Sequence, residues 1–528
     1  MGALGAAAPG VDEADAAAAR RGIVFVGFMG AGKSTAAALV AGALGEPELD
    51  TDRLLEHELG ETIESFVDRE GEAAFRAREE ELVLRVLARP DAGVVALGGG
   101  ALGSERVRAA LRGHVAVWLE VGAGEAWRRV AGGARPLARD RDRFERLHAE
   151  RRPVYAAAAD AVVGTETPPE AVLAALPSVG TLREELSRVG GPLRLVWARS
   201  ASGDYPVFVG RGALGRGVFH PVDGRRFVVA DERVAALHRL TGDWSVSVPA
   251  GETEKTLARA EEVLRAMARA GVGRDDLVVA FGGGVIGDLA GFCAAVYQRG
   301  VRCIQVPTTL VAQVDSAYGG KTGVDLPEAK NYVGAYHQPA AVLVDPDVLM
   351  TLPREEIAAG YAEVVKTALI AGGPLWERVR SGADPIAEKV LAGCLETKLA
   401  VVAEDERDGG RRQVLNLGHT IGHALEAATG YRRLRHGEAV ALGLLCALRL
   451  SGQKALREEV AGLLVGHGLP PRIEGVKADE VVELVARDKK RRGGSVPFVL
   501  VSAPGAVSPG HAVAEGELRA AVAEVVGA

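Results

Sequence analysis

Residues 23–35 read IVFVGFMGAGKST, a short apolar run followed by a glycine-rich turn. The run predicts a buried β-strand, and the turn fits the pattern G-x-x-x-x-G-K-[ST] of a phosphate-binding loop. A helical pattern, TAAALVAGAL, follows the turn, which is the context that this loop requires. The lysine is expected to reach the terminal phosphates of a nucleotide and the serine to hold Mg²⁺. The residues expected at the nucleotide are Gly30, Gly32, Lys33, Ser34 and Thr35.

The alternation of strands and helices around this loop continues along the chain and predicts an α/β fold with a parallel sheet. At 528 residues, the chain is long enough for about three or four domains. After about residue 350, long stretches rich in Ala, Leu and Glu indicate a helical domain. The predicted segments are a disordered leader at 1–19, a phosphate-loop domain at 20–178, a linker at 179–191, an α/β domain at 192–350 and an α-helical domain at 351–528.

Composition excludes several classes of protein. The net charge of -7 argues against general nucleic-acid binding, and the four cysteines show no CxxC spacing that would indicate a thiolate zinc site. The first residues contain no basic region typical of a signal peptide, and the apolar run at 439–448 is too short to cross a bilayer. We therefore expect a cytoplasmic protein.

The first domain also carries groups suited to a phosphate acceptor. Asp50 and Asp52 follow a predicted strand and, being two apart, are expected on one face of it. LGGGAL at 97–102 ends another strand and allows close approach of the backbone to a ligand. Arg76 in EAAFRAREEE would, taken alone, be interpreted as a solvated helix charge; further arginines follow at 135 and 151.

Together these motifs resemble shikimate kinase over nearly all of residues 20–178. The resemblance implies that Asp52 orients or deprotonates the attacking hydroxyl and that Arg76 and Arg151 bind the substrate carboxylate. It places Asp50 near Mg²⁺ and Arg135 on a lid that neutralises phosphate charge. The residues expected to line the substrate are Gly98, Gly99 and Gly100.

In the second half, LVVAFGGGVIGDLAGF at 277–292 contains the spacing G-x-G-x-x-G. This pattern alone is weak evidence for a dinucleotide, and no acid follows about twenty residues later. An acid instead lies upstream, where Asp231 ends the strand RFVVAD. The following stretch, 305–339, is polar and glycine-rich, which is equally typical of a long surface loop with solvated lysines or of a phosphate site that includes Lys330.

Three histidines fall within residues 419–436. His419 and His423 share one helix face, so their spacing alone suggests that both bind one metal ion. The zinc motif HExxH would require glutamate at position 420, which is threonine here. Taken singly, each histidine is more often a hydrogen-bonded core residue than a ligand.

The residues from about 192 to 528 resemble 3-dehydroquinate synthase. The resemblance implies an active site between the α/β and helical domains, NAD⁺ that is reduced and reoxidised in each turnover, a divalent metal, expected to be Zn²⁺, and a homodimer. The implied metal ligands are Glu363, His419 and His436. His423 is instead assigned to the substrate phosphate.

The same resemblance assigns the other polar residues. Those around the substrate are Asp315, Lys321, Asn331, Lys366, Lys398, Arg412, Asn416, Lys489 or Lys490, and Arg299 from the partner subunit. Those at the cofactor are Asp231, Glu252, Lys255, Gly283, Gly284, Asp288, Thr308 and Thr309.

The sequence therefore predicts a bifunctional enzyme of the shikimate pathway, with ATP and Mg²⁺ in one half and NAD⁺ and a metal in the other. One alternative is a related sugar-phosphate cyclase, which the residues expected at the carboxylate disfavour. Another is a metal-dependent alcohol dehydrogenase, which would not need the lysines. A third is that one half is only a binding module.

Overall fold

The computed structural model describes residues 22–131, 140–164, 170–188, 193–216, 223–491 and 496–527. The chain forms two compact units, Met1–Trp197 and Ala198–Ala528. The predicted leader, 1–19, lies outside the described residues. The division falls close to residue 192, where the second half was predicted to begin.

The first unit contains a parallel sheet in the order β2-β3-β1-β4-β5. Its strands are β1 (Ile23–Val26), β2 (Glu48–Asp50), β3 (Val94–Ala96), β4 (Val115–Glu120) and β5 (Ala161–Gly164), and Leu195 and Val196 of β6 (Arg194–Ala198) pair with β5. All four residues of β1 are buried, because the strand lies in the middle of the sheet. The carboxyl ends of these strands meet at one edge, where the phosphate loop begins.

Eight helices among the described residues surround this sheet. They are α1 (Lys33–Leu44), α2 (Thr51–Leu59), α3 (Ile63–Glu70), α4 (Glu72–Leu87), α5 (Glu105–Leu111), α6 (Ala123–Val130), α7 (Arg141–Ala158) and α8 (Glu170–Arg188). Most of the predicted linker, 179–191, belongs to α8, in which Leu182 and Leu186 are buried. The prolines and glycines that suggested a linker, at 168–169 and 190–192, lie outside the described residues, whereas Leu182 and Leu186 between them are buried in the core.

The second unit begins with another parallel sheet, in the order β7-β14-β11-β10-β8-β9. Its strands, with a separate antiparallel hairpin of β12 and β13, are β7 (Tyr205–Val209), β8 (Arg226–Asp231), β9 (Trp244–Val248), β10 (Leu277–Gly282), β11 (Arg302–Pro307), β12 (Lys321–Leu326), β13 (Ala329–Tyr336) and β14 (Ala341–Val344). The hairpin occupies the stretch for which a surface loop was one interpretation. Its glycines and lysines interrupt the alternation of apolar and polar residues that would have indicated two strands.

The helices of this unit are α9 (Ala213–Arg216), α10 (Glu232–Leu237), α11 (Leu257–Ala270), α12 (Gly284–Val296), α13 (Arg354–Ala371), α14 (Gly373–Arg380), α15 (Glu388–Glu404), α16 (His419–Ala428), α17 (His436–Leu450), α18 (Lys454–Gly466), α19 (Ala478–Arg491) and α20 (Glu515–Ala523). From α13 onward the unit is mainly helical, as predicted, around one large apolar cluster. Its remaining strands, which the sequence did not predict, are β15 (Ile473–Glu474), β16 (Phe498–Ala503), β17 (Ala506–His511) and β18 (Val526–Gly527). Among the described residues, none of the helices has the length and apolar character needed to cross a membrane.

Candidate active sites

The phosphate loop connects β1 to α1. Gly30 has φ +82°, and a Cβ there would lie 2.7 Å from the carbonyl oxygen of Ala126, so only glycine fits. The Lys33 ammonium donates to the carbonyl of Phe28 at 3.1 Å and so lies over the loop. The first N–H groups of α1 have no partner within the helix, which together with the lysine forms a site for an anion.

A cavity of about 420 Å³ lies beside this loop, lined by Arg76, Gly99, Arg151 and Tyr155 among others. Arg151 donates to the Gly99 carbonyl at 3.0 Å, and the Tyr155 hydroxyl donates to the same oxygen at 2.6 Å. A Cβ on Gly99 would lie 3.9 Å from the Lys33 ammonium nitrogen. Gly99, which lines the cavity, thus lies close to Lys33 of the phosphate loop, and transfer between two bound molecules requires such proximity.

Glu79 is a residue of this cavity that the sequence reasoning missed. It is 4% exposed and pairs with Arg76, with Nη1 and Oε2 2.6 Å apart. Burial raises the pKa of Glu79 against the opposing effect of Arg76. Burial alone would lower the pKa of Arg76, but Glu79 and Glu72 outweigh it and raise that pKa. The i, i+3 spacing in EAAFRAREEE was the available signal, but neighbouring acids made it look like surface charge.

The prediction that Asp50 and Asp52 share one face of a strand is wrong. Asp50 ends β2, and its carboxylate caps α2 by accepting from the N–H groups of Asp52 at 3.0 Å and Arg53 at 3.2 Å. Asp52 therefore belongs to the first turn of a helix. Its carboxylate still lies near Glu79, which lines the cavity, because a Cβ on Gly98 would lie 2.6 Å from Asp52 Oδ1 and 2.5 Å from Glu79 Oε1.

In the second unit, three predicted ligands converge from three helices. Oε1 of Glu363, on α13, lies 3.5 Å from Nε2 of His419 and 3.5 Å from Nε2 of His436. Their ligand atoms all lie within 4.8 Å of one another. Glu363 is fully buried, and its Oε1 has no hydrogen-bond donor among the described residues. A divalent cation fits this set. It would bind the unpaired Oε1 of Glu363 together with the two imidazole nitrogens, and its remaining coordination positions would stay open.

Close helix packing brings these ligands together. Any side chain on Gly437, the second residue of α17, would clash with the carbonyl oxygen of Ala359 on α13. Glycine at this position therefore lets the start of α17 approach α13, which brings His436 to Glu363. Gly418 precedes α16 with φ +79° and turns the chain so that His419 begins the helix.

The protonation of the ligands depends on their surroundings. Burial lowers the pKa of His419 to about 3, so its imidazole is neutral, and its Nδ1 lies 3.2 Å from the Leu417 carbonyl. Burial alone would also lower the pKa of His436, but Glu363 and Glu426 raise it to about 10. A metal ion would have to displace that proton.

His423 lies apart from the Glu363 oxygens. Its ring centroid is 5.4 Å from that of His419, and its ligand atom groups instead with Glu426 and His436. The residue is exposed, in contrast to His419. This geometry is compatible with the predicted division between one ligand and one neighbour.

Asp315 lies between two lysines in a short π-helix, residues 312–316. Its Oδ2 is 3.3 Å from the Lys366 ammonium, and its Oδ1 pairs with Lys398. Burial would raise the pKa of Asp315, but the two lysines lower it well below its usual range. Burial lowers the pKa of Lys398. Lys366 also pairs with Glu363, which links this cluster to the histidines.

The other predicted substrate residues are less closely gathered. Arg412 is 1% exposed and donates to the carbonyls of Gly319, at 3.0 Å, and Glu406, while its Nε has no partner among the described residues. Lys321 forms an ion pair with Asp408. Asn331 is exposed with φ +58°, Asn416 is half-buried, and Arg299 lies on an exposed turn. Arg135 and the side chains of Lys489 and Lys490 lie outside the part of the chain that the structure describes.

The predicted cofactor residues lie at the carboxyl edge of the second sheet. Gly282 ends β10, Gly283 caps α12, and Thr308 follows β11. Thr308 Oγ1 is buried and makes no hydrogen bond to another described residue. Ligands bind at this edge of open α/β sheets, so the orphaned hydroxyl fits a bound dinucleotide.

Four further cofactor positions flank that edge. The Lys255 ammonium lies 2.8 Å from Asp288 and 3.7 Å from Glu252. Asp231 caps α10 by accepting from the N–H groups of Arg233 and Val234. These charged groups therefore lie beside the glycine turn that the sequence identified.

Family models match most of both units. The model described as shikimate kinase matches residues 29–178, 3-dehydroquinate synthase N-terminal matches 245–359, and 3-dehydroquinate synthase C-terminal matches 360–491. The chain is 44% identical to the 3-dehydroquinate synthase of Halorhodospira halophila, over 62% of this chain and 96% of that protein. It is 41% identical to the enzyme of Paracoccus denitrificans, over 61% and 96% respectively.

Among solved structures, the chain is similar to ValA, a 2-epi-5-epi-valiolone synthase from Streptomyces hygroscopicus subsp. jinggangensis 5008, solved with NAD⁺ and Zn²⁺ bound. The identity is 26% and the TM-score 0.55, covering 60% of this chain and 96% of ValA. A 2-deoxy-scyllo-inosose synthase, 23% identical with a TM-score of 0.54, shares the fold.

Proposed function

The chain belongs to the 3-dehydroquinate synthase family and carries a shikimate kinase domain before it, and from this premise we propose how its residues divide the work. It is a bifunctional enzyme of the shikimate pathway. The first unit phosphorylates shikimate to shikimate 3-phosphate with ATP, and the second converts 3-deoxy-D-arabino-heptulosonate 7-phosphate to 3-dehydroquinate and phosphate. We further propose the roles of individual residues, the bound cofactors and a homodimer.

In the kinase unit, Lys33 and the start of α1 bind the phosphates of ATP, and Ser34 holds Mg²⁺. Arg76 and Arg151 bind the carboxylate of shikimate, for which a planar guanidinium suits bidentate recognition. Asp52 orients the attacking hydroxyl from beside Gly98. The proximity of Gly99, which lines the cavity, to the Lys33 ammonium supports this arrangement most directly. Phosphoryl transfer then depends on the relative position of the two substrates and on neutralisation of the phosphate charge.

In the synthase unit, Glu363, His419 and His436 hold the divalent metal, which we take to be Zn²⁺. When bound, the ion supplies Lewis-acid polarisation of the substrate oxygens at C4 and C5. The convergence of two imidazoles on the orphaned Oε1 of Glu363 supports this proposal most directly. The same carboxylate pairs with Lys366, so Glu363 also fixes the end of that lysine.

NAD⁺ occupies the carboxyl edge of the second sheet, where Asp231, Glu252, Lys255, Gly283, Gly284, Asp288, Thr308 and Thr309 hold it. When bound, the cofactor supplies a reversible hydride acceptor for C5 of the substrate. The buried, orphaned hydroxyl of Thr308 supports this placement. Glu252 and Lys255 then face the cofactor from the turn before α11.

The remaining side chains bind and orient the substrate. Asp315, ionised between Lys366 and Lys398, keeps both ammonium groups aimed at the same point beside the metal ligands. Lys398 and Arg412 bind the carboxylate of the substrate, with Lys489 from α19. The phosphate is bound by Lys321, Asn331, Asn416 and His423.

One experiment tests the assignment of both sites. Shikimate-dependent ADP formation and phosphate release from the heptulosonate phosphate are measured in wild type, Lys33→Ala and His419→Ala. We expect Lys33→Ala to lose only the first reaction and His419→Ala only the second. Loss of both reactions in either variant would contradict separate sites, and net accumulation of NADH would contradict the synthase mechanism.

The active unit of the synthase is a homodimer, in which Arg299 reaches the substrate phosphate of the partner subunit. This residue is exposed, on a turn where its φ is +68°. Arg299→Ala and His419→Ala should each lose phosphate release, and mixing the two should restore part of it. No recovery in mixed dimers, shown by sedimentation to have exchanged, would refute the shared site.

A further inference from the structure

Glu426 is a buried carboxylate that none of the assignments above uses. It lies on α16, seven positions after His419, and is 2% exposed. A buried charge is costly unless it is paired, so its partners show what it does. Two side chains face it, one at each carboxylate oxygen.

The first partner is a metal ligand. Glu426 Oε2 lies 3.6 Å from Nδ1 of His436, while Nε2 of the same ring lies 3.5 Å from Glu363 Oε1. The imidazole therefore stands between two carboxylates, with one ring nitrogen toward each. Metal-bound histidines commonly present their second nitrogen to a carboxylate or carbonyl, which fixes the ring and increases its basicity.

The second partner is Lys330, at the start of β13. Its ammonium lies 3.2 Å from Glu426 Oε1 and 3.5 Å from Glu252 Oε1, and 4.8 Å from the centre of the Tyr431 ring. Lys330 thus joins a carboxylate beside the metal ligands to a carboxylate beside the cofactor.

We propose that Glu426 is a positioning residue for the metal centre: it holds His436 through Nδ1 and is itself held by Lys330. The inference rests on the proposed set of metal ligands. His419 uses the backbone carbonyl of Leu417 for the same purpose, at 3.2 Å from its Nδ1. His436 is therefore held more strongly than His419, since a carboxylate orients and polarises an imidazole more strongly than a neutral carbonyl does.

A second metal ion bound by His423, Glu426 and His436 is the main competing explanation, because their ligand atoms also lie within 4.8 Å of one another. The ammonium of Lys330 argues against it, since it already neutralises Glu426 at 3.2 Å. The two explanations predict different metal stoichiometry, which makes them separable.

The test uses the full chain and the variants Glu426→Gln, Glu426→Asp and Glu438→Gln. The glutamine at 426 keeps the volume and removes the charge. Glu438 is the matched control: it lies on α17 near His436, but its Oε2 accepts from the N–H of Arg435 at 2.8 Å, which glutamine can also do. Zn²⁺ affinity is measured by competition with a chromogenic chelator, metal content by elemental analysis, and coordination by the visible absorption of the Co²⁺ form.

We expect one ion per chain in wild type, an affinity about 10- to 100-fold weaker in Glu426→Gln with an altered Co²⁺ spectrum, partial recovery in Glu426→Asp, and no change in Glu438→Gln. Shikimate-dependent ADP formation on the same chain should stay at the wild-type level and reports correct folding. Unchanged affinity and spectrum in Glu426→Gln would overturn the proposal, as would two ions in wild type that fall to one in Glu426→Gln. If wild type bound no metal, or His419→Ala kept its metal, the ligand set itself would fail, which is a distinguishable result.

Discussion

Replacing Asp315 by asparagine should destabilise the synthase unit far more than breaking a surface ion pair does. Asp315 faces the buried ammonium groups of Lys366 and Lys398. Lys366 keeps Glu363 as a partner after the change, but Lys398, 8% exposed, loses the carboxylate that it touches. Removing one member of a buried pair costs about 3 to 5 kcal/mol, because the other charge remains desolvated.

That loss converts into a measurable shift in melting temperature. For a unit of about 330 residues, the unfolding entropy near the melting temperature is about 0.7 kcal/mol/K. The synthase transition in calorimetry should therefore fall by about 4 to 7 °C, while the kinase transition serves as an internal reference. The control is Asp347→Asn, since Asp347 and Arg211 form a pair with side chains 47% and 42% exposed. Its loss should cost under about 1 kcal/mol.

The pH dependence gives this prediction a second test. The pKa of Asp315 is lowered in the folded protein, so its contribution to stability is present above its unfolded pKa and is lost as the pH falls through the folded value. The deficit of Asp315→Asn relative to wild type should be constant near neutrality and shrink below about pH 4. A deficit no larger than that of Asp347→Asn would refute the reasoning, as would one that grows in acid.

Three further predictions concern the two sites. Metal content, measured by elemental analysis, should collapse in His419→Ala and largely survive in His423→Ala; equal loss in both would contradict their division. Arg76→Lys should raise the KM for shikimate by roughly tenfold, since an ammonium cannot reproduce the guanidinium fork, and an unchanged KM would remove Arg76 from the substrate site. Gly437→Ala should lose metal and phosphate release because the new Cβ clashes with the Ala359 carbonyl, whereas Gly462→Ala, with open space around it, should keep both.

Much of the fold was predictable because its signals are local. The apolar run of β1, the glycine turn and the following helix are contiguous in sequence, and the family motifs are ordered along the chain. The hairpin of β12 and β13 was not predictable in the same way. In β13 the half-buried Lys330 is followed by the exposed Asn331 and Tyr332, so neither face of the strand is clearly apolar and the strand pattern is weak.

The candidate sites show the same contrast. Lys33 was predicted from the phosphate loop, and Arg76 and the three metal ligands were predicted from the family resemblances, since ordered motifs fix residue types at given positions. Asp52 was expected to share a strand face with Asp50, and that expectation is wrong because the cap formed by Asp50 starts a helix at Thr51.

By itself, the sequence determined which chemical groups are present and in what order: a phosphate loop, a glycine turn for a dinucleotide, and histidines with a distant glutamate. Only the tertiary structure decided which of these groups meet. His419 and His423 are neighbours on one helix, yet His419 groups with Glu363 because Gly437 lets α17 approach α13. The contacts of Glu79 and Glu426 likewise depend on tertiary packing. The role of a buried carboxylate depends on the groups that pack beside it. Those groups come from distant parts of the chain, so the spacing of residues within one segment does not predict them.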